Sequence, residues 1–161
     1  MFHLPPLLPG DRTGRTLLVA REVMEIVGFR SLPDDASGDR RHARLRALFD
    51  HFSRGAPVTV ADDPFRKRRT AILERVHPPA DEVWDFRCLD PRPGIRAFGR
   101  FAEPDVFVAL TWAYREDIAP GDGWTAQIAR CRAAWTGLFG ALPPFRGDRI
   151  DAYLSSGWYP A

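Results

Sequence analysis

Lysine is almost missing from this chain of 161 residues: all but one of its 23 basic residues, Lys67, are arginine. A guanidinium stays protonated, so such a chain is rich in fixed cations and poor in side chains that can take up a proton. Formal net charge is only +2, so the overall balance does not mark a nucleic-acid binder, and only the placement of the arginines can. Cysteine is also scarce. Cys88 and Cys131 are too few and too far apart for a disulfide framework or a zinc knuckle. Both fall on apolar stripes and read as buried small hydrophobes. No apolar run is long enough to span a bilayer. The opening MFHLPPLLPGDRTGR lacks the basic-then-apolar pattern of a secretory leader, so a cytoplasmic, reduced compartment is expected. His3, His42, His51 and His77 share no metal-ligand spacing, and Walker, GxGxxG, HExxH and GxSxG patterns are missing. Neither a metal nor a cofactor is expected.

What is present is concentrated between Asp81 and Arg115. This stretch reads as three strand-like runs separated by two turn signals. In Val83 to Leu89, Trp84, Phe86 and Cys88 alternate with Asp85 and Arg87. Asp90-Pro91-Arg92-Pro93-Gly94 breaks the run, because proline removes a ladder donor and glycine permits a positive φ. The second run sets Ile95, Ala97, Gly99 and Phe101 against Arg96, Phe98 and Arg100. After Ala102-Glu103-Pro104-Asp105, the segment Val106 to Trp112 is nearly continuous apolar, as a strand buried on both faces is. With a period of two, one face of this meander collects arginines. Arg87, Arg96 and Arg100 with Phe98 among them suit single-stranded RNA, guanidinium for phosphate and ring for base. The bland alternative is an open face whose arginine stems cover apolar surface and pair with nearby acids.

Around the meander the signals are local. Residues 1–15 are rich in proline and read as an irregular extension. Thr16 to Val27 reads as a strand, although AREVMEIV also has the makings of a helix. Asp39 to Arg54 is helical, with Leu45, Leu48, Phe49 and Phe52 on one stripe, Asp39 as N-cap and Gly55 just past the end. Arg66, Lys67, Arg68 and Arg69 are the densest cationic run and a nonspecific phosphate-binding candidate. Thr70 to Val76 precedes the firm stop His77-Pro78-Pro79. Trp124, Ile128, Cys131, Trp135 and Leu138 define a second amphipathic helix, ended by Gly140. Residues 141–161 form a tail whose pattern suits a short helix from Asp148 to Leu154, with Ile150, Tyr153, Leu154 and Trp158 as docking residues. The expected fold class is α+β, a small, mostly antiparallel sheet packed against helices, with the domain over residues 16–140.

These residues resemble the RelE/ParE/HigB superfamily of bacterial toxins from toxin–antitoxin modules. VWDFR at Val83 to Arg87 is similar to the family's "LWElR" strand, and GIRAFGRF at Gly94 to Phe101 to its "yRvfy" strand. VFVALTWAYRED at Val106 to Asp117 is similar to the apolar strand leading to "F.KK", and REVMEIVGF to the opening strand. The resemblance covers roughly Arg21 to Phe139.

It implies a RelE-like meander and an endoribonuclease that cleaves mRNA at the ribosome and is inhibited by an antitoxin protein. Arg87, Arg96 and Arg115 would orient and neutralise the scissile phosphate, and Tyr114 would add an aromatic hydroxyl. Phe98, Arg100 and the run Arg66 to Arg69 would hold RNA. The family's paired lysines are replaced here by Tyr114-Arg115-Glu116-Asp117. The proton acceptor must then be another residue, with His77, Asp85 and Glu116 as candidates. The same scaffold also hosts gyrase-type inhibitors, so a non-catalytic binder is the alternative.

Overall fold

A computed structural model describes residues 1–8, 10, 13–28, 40–65 and 70–161. Its strands are Phe2–His3 (β1), Thr16–Val19 (β2), Val58–Ala61 (β3), Leu73–Arg75 (β4), Trp84–Cys88 (β5), Ile95–Glu103 (β6), Val106–Tyr114 (β7) and Trp158–Pro160 (β8). The α-helices are Arg21–Val27 (α1), Arg40–Ser53 (α2), Asp122–Phe139 (α3) and Ile150–Tyr153 (α4), with tighter helical turns at Pro79–Asp81 and Arg115–Asp117. The run Arg66 to Arg69 and the capping residue Asp39 lie outside the described residues.

The molecule is mixed α/β. All eight strands of the described residues join one sheet in the order β1-β2-β7-β6-β5-β4-β3-β8. The expected meander β5–β6–β7 lies at its centre, antiparallel throughout. The sheet is nevertheless larger and more mixed than expected. Three of its seven junctions, β2–β7, β3–β4 and β3–β8, are parallel. Segments from both flanks of the meander extend it: β2 joins β7 in parallel, whereas β4 joins β5 antiparallel and carries the parallel pairs β3–β4 and β3–β8 beyond it. Phe2–His3, within the stretch expected to be irregular, pair with β2, and Trp158–Pro160 in the tail pair with β3.

One expectation is corrected upstream. The strand covers only TLLV, and REVMEIV is helix α1, so the match of REVMEIVGF to an opening strand does not hold. Val23, Ile26 and Val27 are its buried residues, the i, i+3, i+4 spacing of a single helical face. Helix α2 behaves as its stripe requires: Leu45, Phe49 and Phe52 are fully buried, and Gly55 takes φ 74° just beyond it.

Helices cover both sheet faces. On one, α1 and α2 enclose a core of Leu17, Phe49, Phe52, Trp84, Phe86, Phe101, Phe107 and Tyr153. Ring centroids of Phe52–Phe86 and Phe86–Phe107 are 5.2 and 5.1 Å apart, edge to face. Each such pair adds about 0.5–1.5 kcal/mol beyond area burial. On the other face, α3 lays Ile128, Cys131 and Trp135 over Phe98, Val108 and Leu110. Leu138, placed by its spacing on the same stripe, is 45 % exposed near the helix end.

A bulge in β7 decides which side chains reach which face. Gly99 pairs with Ala109 but Phe98 with Thr111, so Leu110 is the extra residue. Beyond it every side chain is flipped relative to strict alternation. Trp112 and Tyr114 therefore stand with Ala97 and Ile95 on the α2 side, while Ala113 stands with Arg96 on the α3 side. Past the end of β2, the Trp112 N–H donates to Glu22 at 3.1 Å and its carbonyl accepts from Arg130 at 3.1 Å. Glu22 also takes both 2.9 Å bonds from the Arg130 guanidinium, tying α1 to α3.

Polar side chains fasten the ends. Arg15, 3 % exposed, donates to the carbonyls of Ala56, Ser156 and Gly157. The Tyr153 hydroxyl lies 2.6 Å from Glu82 and 2.9 Å from the Gly147 carbonyl, and Glu82 also bonds Arg75.

Two predictions follow from this packing. A Cβ on Gly99 would collide with the Val108 carbonyl oxygen and the Phe107 ring. Gly99→Ala is expected to cost about 1–3 kcal/mol by overpacking, read from the urea midpoint. Burial, with the Glu82 hydrogen bond adding to it, pushes the Tyr153 phenol up to about 12. The neutral phenol is thus favoured in the fold. Its contribution is whole below about pH 10 and is lost as pH rises through the folded value. Unfolding curves from pH 9 to 12 should show a decline in wild type that is shallower in Tyr153→Phe.

Candidate functional site

The face of the meander that collects arginines becomes one wall of a cleft. Register places Glu74 opposite Asp85, and Arg87 opposite Arg96. Like charges directly across a ladder repel, and the ion pairs run along the diagonals instead. Arg87 Nη1 lies 2.6 Å from Glu74 Oε2, and Arg96 Nη1 lies 2.6 Å from Asp85 Oδ2. These four charges form the floor of a cleft of about 920 Å³. The first turns of α3 form one side, through Trp124, Thr125, Ile128, Ala129 and Arg132. His77, Pro78 and Asp81 form the other, and Arg132 reaches across to Asp81 at 3.0 Å.

Trp124 is held among cations. The guanidinium carbons of Arg96 and Arg115 lie 5.7 and 5.6 Å from its ring, and Phe98 meets it edge-on at 6.0 Å. Arg115, exposed at the rim, donates to the Ile118 carbonyl at 3.1 Å. His77 is exposed, with the Phe65 ring 5.0 Å away. Asp85 is 1 % exposed. Burial pushes its carboxyl up, against the opposing pull of Arg96, Arg87 and Arg115. One oxygen is bonded to Arg96, while Oδ1 has no hydrogen-bond partner among the described residues.

Of the residues singled out in the sequence, His77, Asp85, Arg87, Arg96 and Arg115 converge on this one cleft. Tyr114 does not join them. It lies on the opposite face, 3.1 Å from His42 Nε2 and beneath the Arg41 guanidinium, because the β7 bulge sends it there. Glu116, a candidate proton acceptor, pairs with Arg41 at 3.2 Å and is not a cleft residue. Phe98 is fully buried under α3, so its ring is not available to stack a base. Arg100 is 7 % exposed, donates to the Asp81 carbonyl and packs over Trp135. Its neighbour Cys131 has its thiol pushed up to about 12 by burial.

The sequence reading missed Glu74, Arg75, Asp81, Trp124 and Arg132 as cleft residues. A usable signal existed for two of them. Trp124, Ile128 and Arg132 recur every four residues along α3, a line at the edge of its apolar stripe. Among the described residues no group of three or more His, Cys, Asp or Glu side chains is placed to hold a metal ion. No described helix is long and apolar enough to cross a membrane.

Fold and site together define a mixed α/β domain with an arginine-lined cleft between its sheet and one helix. Comparison with known proteins finds no matching family model, no matching curated protein and no matching solved structure.

The diagonal pairs set a stability expectation. Removing one partner leaves a buried charge uncompensated, a cost of about 3–5 kcal/mol, whereas apolar replacement of both is often neutral or stabilising. Arg96→Met should therefore destabilise strongly, and the double variant Asp85→Leu/Arg96→Met should regain most of the loss. A denaturant double-mutant cycle measures this.

Proposed function

We propose that this chain is a RelE-like toxin: a cytoplasmic endoribonuclease that cleaves mRNA at the ribosome and is held inactive by an antitoxin protein. The observation that carries the reading is the convergence of His77, Arg87, Arg96 and Arg115 on one cleft. The order β2, α1–α2, β5–β6–β7 and α3 supports a RelE-like core, to which β1, β3, β4 and β8 add flanking strands.

The chemistry suits the residue types. The ribose 2′-oxygen attacks the adjacent phosphorus, the P–O2′ bond forms, and the P–O5′ bond breaks to leave a 2′,3′-cyclic phosphate. Arginines at the cleft stabilise charge growing on the phosphoryl oxygens but take no proton. His77 at the rim accepts the 2′-hydroxyl proton, and the departing 5′-oxygen is protonated from solvent. Arg115, exposed at the rim, contacts the phosphate first. Arg96 is bound to Asp85, so it shapes the floor from which the phosphate is held.

One observation favours a second reading. Arg87, Arg96 and Arg132 are each paired with an acid inside the protein. A scaffold whose cations are internally satisfied suits a non-catalytic binder, such as a gyrase-type inhibitor.

Induced expression with growth and mapping of mRNA ends tests both. The nuclease reading expects new mRNA ends with wild type. Arg115→Ala should lower cleavage by about 10²-fold or more, the scale of one lost transition-state donor. His77→Ala should lower it by about 10²–10⁴-fold, with both variants folded. DNA damage without new RNA ends would move the assignment to the binder. Harmless wild-type expression would sink both.

A further inference from the structure

The cleft floor carries more than cations. Asp85 Oδ1 and Arg96 Nε are both buried and both lack a hydrogen-bond partner among the described residues. The two residues are 1 % and 6 % exposed, and both line the cleft. An orphaned buried carboxylate oxygen and an orphaned guanidinium N–H are each costly. Since Arg96 Nη1 already holds Asp85 Oδ2 at 2.6 Å, they form part of one rigid unit. That unit leaves two needs unmet: a hydrogen-bond donor for Asp85 Oδ1 and an anionic acceptor for Arg96 Nε. A phosphodiester, which carries no O–H, supplies only the second. A ribose hydroxyl next to a phosphate supplies both, and the 2′-hydroxyl of RNA is what lets a protein tell it from DNA. The volume, about 920 Å³, falls within the range for small-ligand clefts.

We infer that the cleft is a ribonucleotide site in which Asp85 determines specificity: its Oδ1 accepts from the ribose 2′-hydroxyl while Arg96 Nε and Arg115 hold the adjoining phosphate. This rests on the reading of the cleft as the RNA site, and adds to it the residue that selects ribose. The two floor atoms are closed to solvent. Trp124, half-buried, packs against Arg96 and Phe98 beside them, so its fluorescence reports a ligand that reaches the floor. Asp85 is here a recognition residue. The 2′-hydroxyl carries one hydrogen, so this contact holds the sugar before reaction, and the hydrogen turns to His77, the proton acceptor, only as attack begins.

Calorimetry on the full chain with three probes tests this: adenosine 3′-monophosphate, its 2′-deoxy counterpart and inorganic phosphate. Wild type should prefer the ribonucleotide over the deoxynucleotide by about tenfold or more, the scale of one hydrogen bond to a charged group. Tryptophan fluorescence should change on binding, and the change should shrink in Trp124→Phe. Asp85→Asn, checked for folding by circular dichroism, should lose most of the sugar preference. Arg115→Ala should weaken all three probes alike and leave the preference intact. Equal binding of the two sugars by wild type overturns the inference, as does inorganic phosphate binding as tightly as the ribonucleotide, or no binding at all. The wild-type comparison decides the matter even if Asp85→Asn does not fold. Sugar preference without mRNA cleavage would sink the nuclease reading alone, and cleavage without sugar preference would sink this inference alone.

Discussion

Two diagonal ion pairs, Arg87–Glu74 and Arg96–Asp85, are the constraint on which the rest of the cleft depends. Directly across the strands, acid faces acid and arginine faces arginine. Such a ladder is unfavourable unless each charge leans toward the opposite sign on the neighbouring strand. The lean is enforced by enclosure, since Asp85 and Arg96 are buried. Their desolvation is offset only while the geometry is held. Helix α3 supplies the enclosure, and its Trp124 lies against the Arg96 guanidinium.

The position of α3 is itself secured from outside the cleft. Glu22 on α1 and Arg130 on α3 share the exposed backbone of Trp112 beyond the β7 bulge. The bulge thus has two consequences. It turns Tyr114 away from the cleft, and its flank anchors the helix that closes the cleft. At the other end, Arg75, Glu82 and Tyr153 bind β4, the turn before β5 and the C-terminal segment into one buried cluster. Glu82 sits there at φ 53°, a left-handed conformation held by two charged or hydroxyl partners.

Functionally, the cleft separates its protonatable groups by depth. His77 is exposed at the rim, and Asp85 is sealed in the floor among arginines. The rim group is open to solvent, while the floor group, closed to it, suits fixed hydrogen-bond recognition. A chain with almost no lysine has few other ways to combine permanent positive charge with a titratable neighbour.

Much of the core was legible in the sequence because period and punctuation are local. The alternation at Trp84, Phe86 and Cys88, the α2 stripe from Leu45 to Phe52, and the glycines at 55 and 140 all appear where their spacing put them. So does the gathering of Arg87 and Arg96 on one face, since directly paired residues must share a face. What only the tertiary structure decided was what covers that face. α3 buries Phe98 and Arg100, an outcome that strand periodicity does not encode. The flip of Tyr114 came from one extra residue at Leu110 inside an apolar run where no alternation could reveal it. The strand roles of Phe2–His3 and Trp158–Pro160 are equally non-local. By itself the sequence determined which residues face together wherever alternation runs unbroken, because that depends on neighbours along the chain. Whether the shared face meets solvent, ligand or helix depends on contacts between distant segments, and these were set by packing.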